Sequence, residues 1–249
     1  MSVAFWLELA ALAVAGVVAG AVNVVAAGGS FLTLPLLLFF GLPASLANAT
    51  NRVGVLSQNL SGILGYHRHG ALEWSWALKA SIPAMAGAAL GVWAALVVPD
   101  LAFKRILSVT MVAVTVWSIL SHRHQPVAHK HLDPPTDRFV IAGFFVVGLY
   151  GGFIQAGVGF LVLAITSAAG MDLVRGNGVK VLSVMLITLL SLMVFAGAGQ
   201  VDWPRGLALA AGNWIGAAIG VRMALHKGHA WLQQVVMATV ILFAAVLWF

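Results

Sequence analysis

The chain has 249 residues, 61% of them hydrophobic and 8% charged, with a mean hydropathy of +1.01. Soluble domains average about 45–50% apolar and about 25% charged, so a water-soluble globule, a disordered chain and a nucleic-acid-binding domain are all excluded. The net charge of +6 comes from 13 Lys and Arg against 7 Asp and Glu, with no block of cations that could follow a phosphate backbone, and the absence of Cys removes disulfides, thiol nucleophiles and thiolate metal sites.

Apolar stretches follow one another along the chain: Val3–Ala27, Phe31–Gly41, Val53–Tyr66, Trp76–Val98, Phe103–Leu120, Phe139–Ala156, Phe160–Gly170, Val179–Ala198, Gly206–Leu225 and Trp231–Phe249. A helix crossing about 30 Å of hydrocarbon needs about 20 apolar residues. Most stretches reach that length with their small-residue flanks. Phe31–Gly41 and Phe160–Gly170 do not, and are either half-helices or the cores of tilted, longer spans. Runs such as FLTLPLLLFFGL lack the alternation of a membrane β-barrel. The expected fold is an all-α integral membrane protein of roughly 8–10 membrane segments, with glycine-rich broken helices. The N-terminal MSVAFWLELA lacks a basic region and reads as a retained first helix. Trp74, Trp76, Trp203 and Trp231 stand at expected helix ends, as in aromatic belts.

Shifting the chain by 129 residues aligns it with itself without a gap. GALEW (70–74) falls on GQVDW (199–203), GAALGV (87–92) on GAAIGV (216–221), and Asn48 on Asn177. Over residues 26–93, 17 of 68 positions are identical, and the matches include Trp and Asn, which are hard to match by composition alone. The expected organisation is a first membrane repeat at 1–120, a polar His/Pro-rich linker at 121–138 and a second repeat at 139–249. Five crossings per repeat would place Arg68, Arg123, Lys130, Arg138, Arg222, Lys227 and all eight His on one face. Four crossings would leave no charge bias. The positive-inside rule favours five, hence inverted repeats, a cytoplasmic linker and both termini outside.

Ionisable residues inside apolar segments are costly and point to function. Arg52 lies in NATNRVGVLSQNLSG and Lys180 in RGNGVKVLSVML, one position apart under the 129-residue shift, and neither has an acid within a helical turn that is not already matched. Packing or interfacial roles are the plain alternative. Asn48, Thr50, Asn51, Gln58 and Asn59 surround Arg52 in sequence, and Asn177 precedes Lys180. Each cluster follows a glycine-rich break, AAGGS (26–30) or GGFIQAGVG (151–159), by about one helix length; the N–H groups opening the next helix would suit an anion, with Gln155 beside them. Gly87/Gly91 and Gly216/Gly220 read as helix-packing pairs, Asn213 as an interhelical hydrogen bond, and Glu8 as an isolated acid. The His-rich loops read as solvated basic clusters, with no metal site expected.

In these same residues the sequence resembles the sulfite exporter TauE/SafE family. The resemblance rests on AAGGSFLTLPLLL, ANATNRVGVLSQNLSG and GALEW in the first half, and on GGFIQAGVGFL, RGNGVKVL, GQVDW and GNWIGAAIGVR in the second. It departs at AAGGS, where many relatives carry three consecutive glycines. The resemblance implies a bacterial or archaeal inner-membrane permease for small sulfur-containing anions such as sulfite, sulfoacetate or related organosulfur acids.

The residues and the resemblance together lead to a secondary transporter, an exporter, whose halves alternate access to a midplane site. Asn48, Asn51, Arg52, Gln155, Asn177 and Lys180 are the expected substrate-binding residues. No catalytic residue, cofactor or metal is expected, since no HExxH, GxSxG or intramembrane carboxylate pair is present. The partners are a small anion, the lipid bilayer and, as an open question, a second copy of the chain. The alternative reading is a membrane subunit or scaffold of a larger transport complex.

Overall fold

The computed structural model describes residues 2–121 and 138–227, and among these every regular element is an α-helix. The linker at 122–137 and the last apolar stretch, Trp231–Phe249, lie outside the described residues. The helices are α1 (Val3–Ala26), α2 (Ser30–Phe39), α3 (Ala44–Arg68), α4 (Trp74–Val97), α5 (Asp100–Ser121), α6 (Arg138–Phe153), α7 (Val158–Ala168), α8 (Leu173–Gly197) and α9 (Trp203–Lys227). α1, α4, α8 and α9 are each long and apolar enough to cross a membrane. Shifted by 129 residues, α3 and α8 have identical bounds, and α2 and α7 differ by one residue at the start.

The two short stretches are half-helices. α2 has 10 residues and α7 has 11, and at 1.5 Å per residue each covers about half the hydrocarbon. α1 stops where Ala27 turns into the left-handed region at φ 67°; Gly157 (φ 77°) makes the equivalent turn before α7. A left-handed alanine is disfavoured by its Cβ, a glycine is not. α2 then runs back along α1: Gly29 packs on Ala19, and Phe40 comes to rest beside Phe5, Glu8 and Ala11. α7 folds back along α6 in the same way, with Val158 at Gly151 and Ile165 at Gly143.

The longest seams join residues far apart in sequence. Ala13, Val17 and Ala21 of α1 meet Gly212, Gly216 and Gly220 of α9 in that order, so these helices run in the same direction. Ala84 and Ala88 of α4 meet Gly148 and Gly152 of α6 likewise, while Gly87 and Gly91 sit against Phe145 and Leu149. A Cβ at any of these glycines would overlap backbone of the neighbouring helix, which explains the expected packing pairs: in lipid, close backbone approach replaces the hydrophobic drive. α3 also runs with α9, since Ser57 Oγ donates to the Ala210 carbonyl (2.8 Å) and Ser61 Oγ to the Trp214 carbonyl (3.0 Å). α3 and α8 run in opposite directions, with Arg52 beside Phe195 and Gly62 beside Val181.

Two bodies result. α1, α2, α3 and α9 form one; α4, α6, α7 and α8 form the other. Each body includes one helix from the opposite half of the chain. They meet along α3 and α8 and at the two helix breaks, where Ala27 faces Gly159 and the shift-related Phe31 and Phe160 rings lie 6.2 Å apart.

Three expectations change here. Trp76 is buried against Phe144 rather than placed in an interfacial belt, because α4 turns that face to α6. Glu8 is not isolated: it pairs with Arg205, which also holds Asp202 and lies over the Phe5 ring. Asn213 packs on Gly54, but its Oδ1 finds no hydrogen-bond partner. At the opposite ends of the helices Arg175 pairs with Glu73 (3.3 Å) and Asp172 (3.5 Å).

Candidate substrate site between the helix breaks

Arg52 lies on α3 and is fully buried. Its guanidinium crosses to the other body, where Nη1 donates to the Gly151 carbonyl (3.0 Å) and to Gln155 Oε1 (2.8 Å), and Nη2 donates to the Gly152 carbonyl (2.7 Å). These carbonyls belong to the last turn of α6, whose oxygens the helix leaves without internal donors. Arg52 also lies 5.0 Å from the Phe195 ring centre, and its Nε–H has no hydrogen-bond partner. An orphaned buried donor of this kind is rare in native folds and calls for an explanation.

Lys180, on α8, makes the reciprocal crossing. Its Nζ donates to the Asn23 carbonyl (2.8 Å), the Val24 carbonyl (3.0 Å) and Asn177 Oδ1. The two carbonyls end α1. Each body therefore supplies a cation that caps the broken helix of the other. The electrostatics suit this, because a helix C-terminus carries roughly −0.5 elementary charge. Burying an ion costs several kcal/mol; three charge-assisted hydrogen bonds at about 1.5–3 kcal/mol each offset much of that. Neither cation has a carboxylate partner among the described residues.

The sequence-predicted residues separate into three groups. Arg52, Asn48 and Gln155 converge on the α6–α7 break: Asn48 Nδ2 donates to the Phe153 carbonyl (3.0 Å), and Asn48 Oδ1 accepts from the Gln155 N–H (3.1 Å). Lys180 and Asn177 converge on the end of α1. Asn51 stands apart and anchors α2, accepting from Thr33 Oγ1 (2.6 Å) and donating to Ser30 Oγ (3.4 Å). The breaks also differ from expectation in polarity. Carbonyl ends of α1 and α6, not the N–H groups opening α2, face the cations. The N–H groups of Phe31, Leu32 and Thr33 are taken by the Gly28 and Gly29 carbonyls.

Between the breaks lies a small cavity lined by Asn23, Gln58, Asn59, Gln155, Gly159 and Lys180, among others. The space open to a water's centre is about 10 Å³, room for about one molecule. Gln58 is buried and lines this space, and its side chain makes no hydrogen bond among the described residues. Asn23, Gln58 and Thr188, which reaches Gln155 Oε1 at 3.4 Å, were not among the expected site residues. Gln58 had a signal, being two helical turns from Asn51 and so on its face of α3. Asn23, like Asn213, reads in the sequence as a lone mid-helix Asn making an interhelical hydrogen bond, and Thr188 had no signal, because nothing local ties either to residues more than 30 positions away.

The family model for the sulfite exporter TauE/SafE matches residues 12–247. The chain belongs to that family. Among curated relatives of this TauE/SafE chain, it is 29% identical to a probable membrane transporter protein, ORF9, of Sinorhizobium sp, over 88% of this chain and 84% of the relative. It is 26% identical to a probable membrane transporter protein of Haemophilus influenzae, over 92% and 89%, and 24% identical to the probable membrane transporter protein YfcA of Escherichia coli K12, over 97% and 88%. No solved structure matches the chain. The protein is a multi-pass membrane transporter rather than an enzyme.

Proposed function

We propose that the protein is a secondary carrier exporting small sulfur-containing anions such as sulfite, sulfoacetate or related organosulfur acids. One observation carries the reading: two cations buried at the junction of two helix breaks, held by neutral oxygens and, among the described residues, by no carboxylate. An anion reaching that junction would meet uncompensated positive charge, the free Arg52 Nε–H and the Gln58 amide. Asn48, Asn51 and Asn177 hold the frame; Arg52, Lys180, Gln155 and Gln58 make the contacts.

The opposite directions of α3 and α8, which share bounds under the 129-residue shift, support an inverted duplication with repeats at 1–120 and 139–249. Substrate sites of such carriers lie at the midplane between repeats. Alternating access would then move the two mixed bodies against each other along α3 and α8, rather than one sequence half against the other. The one-water cavity corresponds to the closed state of that cycle. Following the fold-backs, α1, α3, α5 and α9 run one way and α4, α6 and α8 the other. Arg68, Arg138, Arg175 and Arg222 then share the face opposite the N-terminus. The positive-inside rule puts that face in the cytoplasm of the inner membrane and the N-terminus outside. Export of an anion is downhill in a negative-inside membrane by about 2.3 kcal/mol per charge per 100 mV.

The test is flux of labelled sulfite into and out of proteoliposomes holding the purified chain. Saturable flux, lost in Arg52→Ala and Lys180→Ala, supports the reading. Unchanged flux and affinity in both folded variants would remove the site assignment, and transport only with a co-purifying ATPase would favour a subunit of a larger complex.

A further inference from the structure

The cups around the two cations have a chemistry of their own. One is formed by the Asn23 and Val24 carbonyls and Asn177 Oδ1, the other by the Gly151 and Gly152 carbonyls and Gln155 Oε1. Each consists of the C-terminal end of a broken helix plus one side-chain amide oxygen. In carriers with interrupted helices, such half-helix ends and unwound carbonyls are where a coupling cation sits. A cup of neutral oxygens suits a monovalent cation; divalent cations draw carboxylates. Here both cups are filled by cations covalently tied to the opposite body.

We propose that Lys180 and Arg52 stand in place of coupling cations, so that this carrier runs without Na⁺ or K⁺, and that removing the ammonium of Lys180 exposes a monovalent-cation site. The inference rests on reading the protein as a carrier, but the site itself can be detected without transport. Two features support it. All three Lys180 N–H donors are used by the three cup oxygens, as an ammonium-sized ion would use them. The one-water cavity beside Lys180 gives a free ion a further ligand. As a consequence for the energetics, a tethered cation remains behind when the anion leaves, so each anion exported would move its whole charge down the membrane potential.

Lys180→Met fills the space of the stem and vacates the place of the ammonium; Lys180→Ala vacates both. Thermal unfolding of the wild type and both variants in detergent would be followed in ammonium, potassium, sodium or choline chloride at equal ionic strength. The wild type should melt alike in all four. At least one variant should melt lower in choline and regain about 2–4 °C, saturably, in ammonium or potassium. Choline is too large for the cup and sets the baseline. Variants that fold but respond to all four salts alike would overturn the proposal. Wild-type protein decides independently: saturable binding of radioactive rubidium or sodium, or sulfite flux that requires either ion, would overturn it, and indifference supports it. Absence of sulfite flux in the wild type, alongside an intact salt response in Lys180→Met, would count against the carrier's substrate and not against the cation site.

Discussion

Asn48 offers a sharp test of how the α6–α7 break is held. Its amide closes two bonds to backbone 105 and 107 residues away, one to the Phe153 carbonyl and one from the Gln155 N–H. Asn48 is fully buried, so water does not replace what is removed. Asn48→Ala strands one buried acceptor and one buried donor, each at about 1–3 kcal/mol, or about 2–6 kcal/mol together. For a chain of this length each kcal/mol shifts the melting midpoint by about 2–4 °C, so the variant should melt at least about 4 °C lower. Asn48→Leu, closer in volume but equally unable to hydrogen-bond, should lose at least as much. The assay is thermal unfolding in one detergent at one scan rate, paired with sulfite flux per folded molecule. An Asn48→Ala protein that melts like the wild type but needs far more sulfite for half-saturation would refute the clamp and make Asn48 a direct ligand.

Arg52→Lys keeps the charge but loses the fork that spans Gly151, Gly152 and Gln155; it should fall well short of wild-type flux, since an ammonium does not reproduce guanidinium geometry, and full activity would show that charge alone suffices. Gly148→Leu should abolish assembly of the α4–α6 seam, because even a Cβ there overlaps the Ala84 carbonyl oxygen; overpacking costs about 1–3 kcal/mol or more, read as loss of the monodisperse peak in size-exclusion chromatography. Glu8→Gln and Arg205→Gln, combined in a double-mutant cycle of melting midpoints, should show coupling of about 1 kcal/mol for this half-sheltered pair; additive effects would make the pair energetically idle. The chain has no Cys, so Ser2→Cys and His69→Cys report topology cleanly: an impermeant thiol reagent added to intact cells should label the first and not the second, and labelling of both or only the second would refute the proposed orientation.

Hydropathy and composition are local properties, and they were enough to establish a helical membrane protein, the two short segments and the internal shift that later aligned α3 with α8. The cost of an unpaired charge in hydrocarbon is also local, which is why Arg52 and Lys180 stand out in the sequence alone. Their side-chain partners Gln155 and Asn177 were among the residues singled out in the sequence, but their backbone partners were not legible. The carbonyls that hold Arg52 lie about 100 residues ahead, and those that hold Lys180 about 157 residues behind. Which helix end reaches which cation depends on the small-residue seams that set α1 on α9 and α4 on α6. Only the packed bundle decides that carbonyl ends rather than N–H groups face the charges, because that choice depends on how far each broken helix runs before its chain turns back.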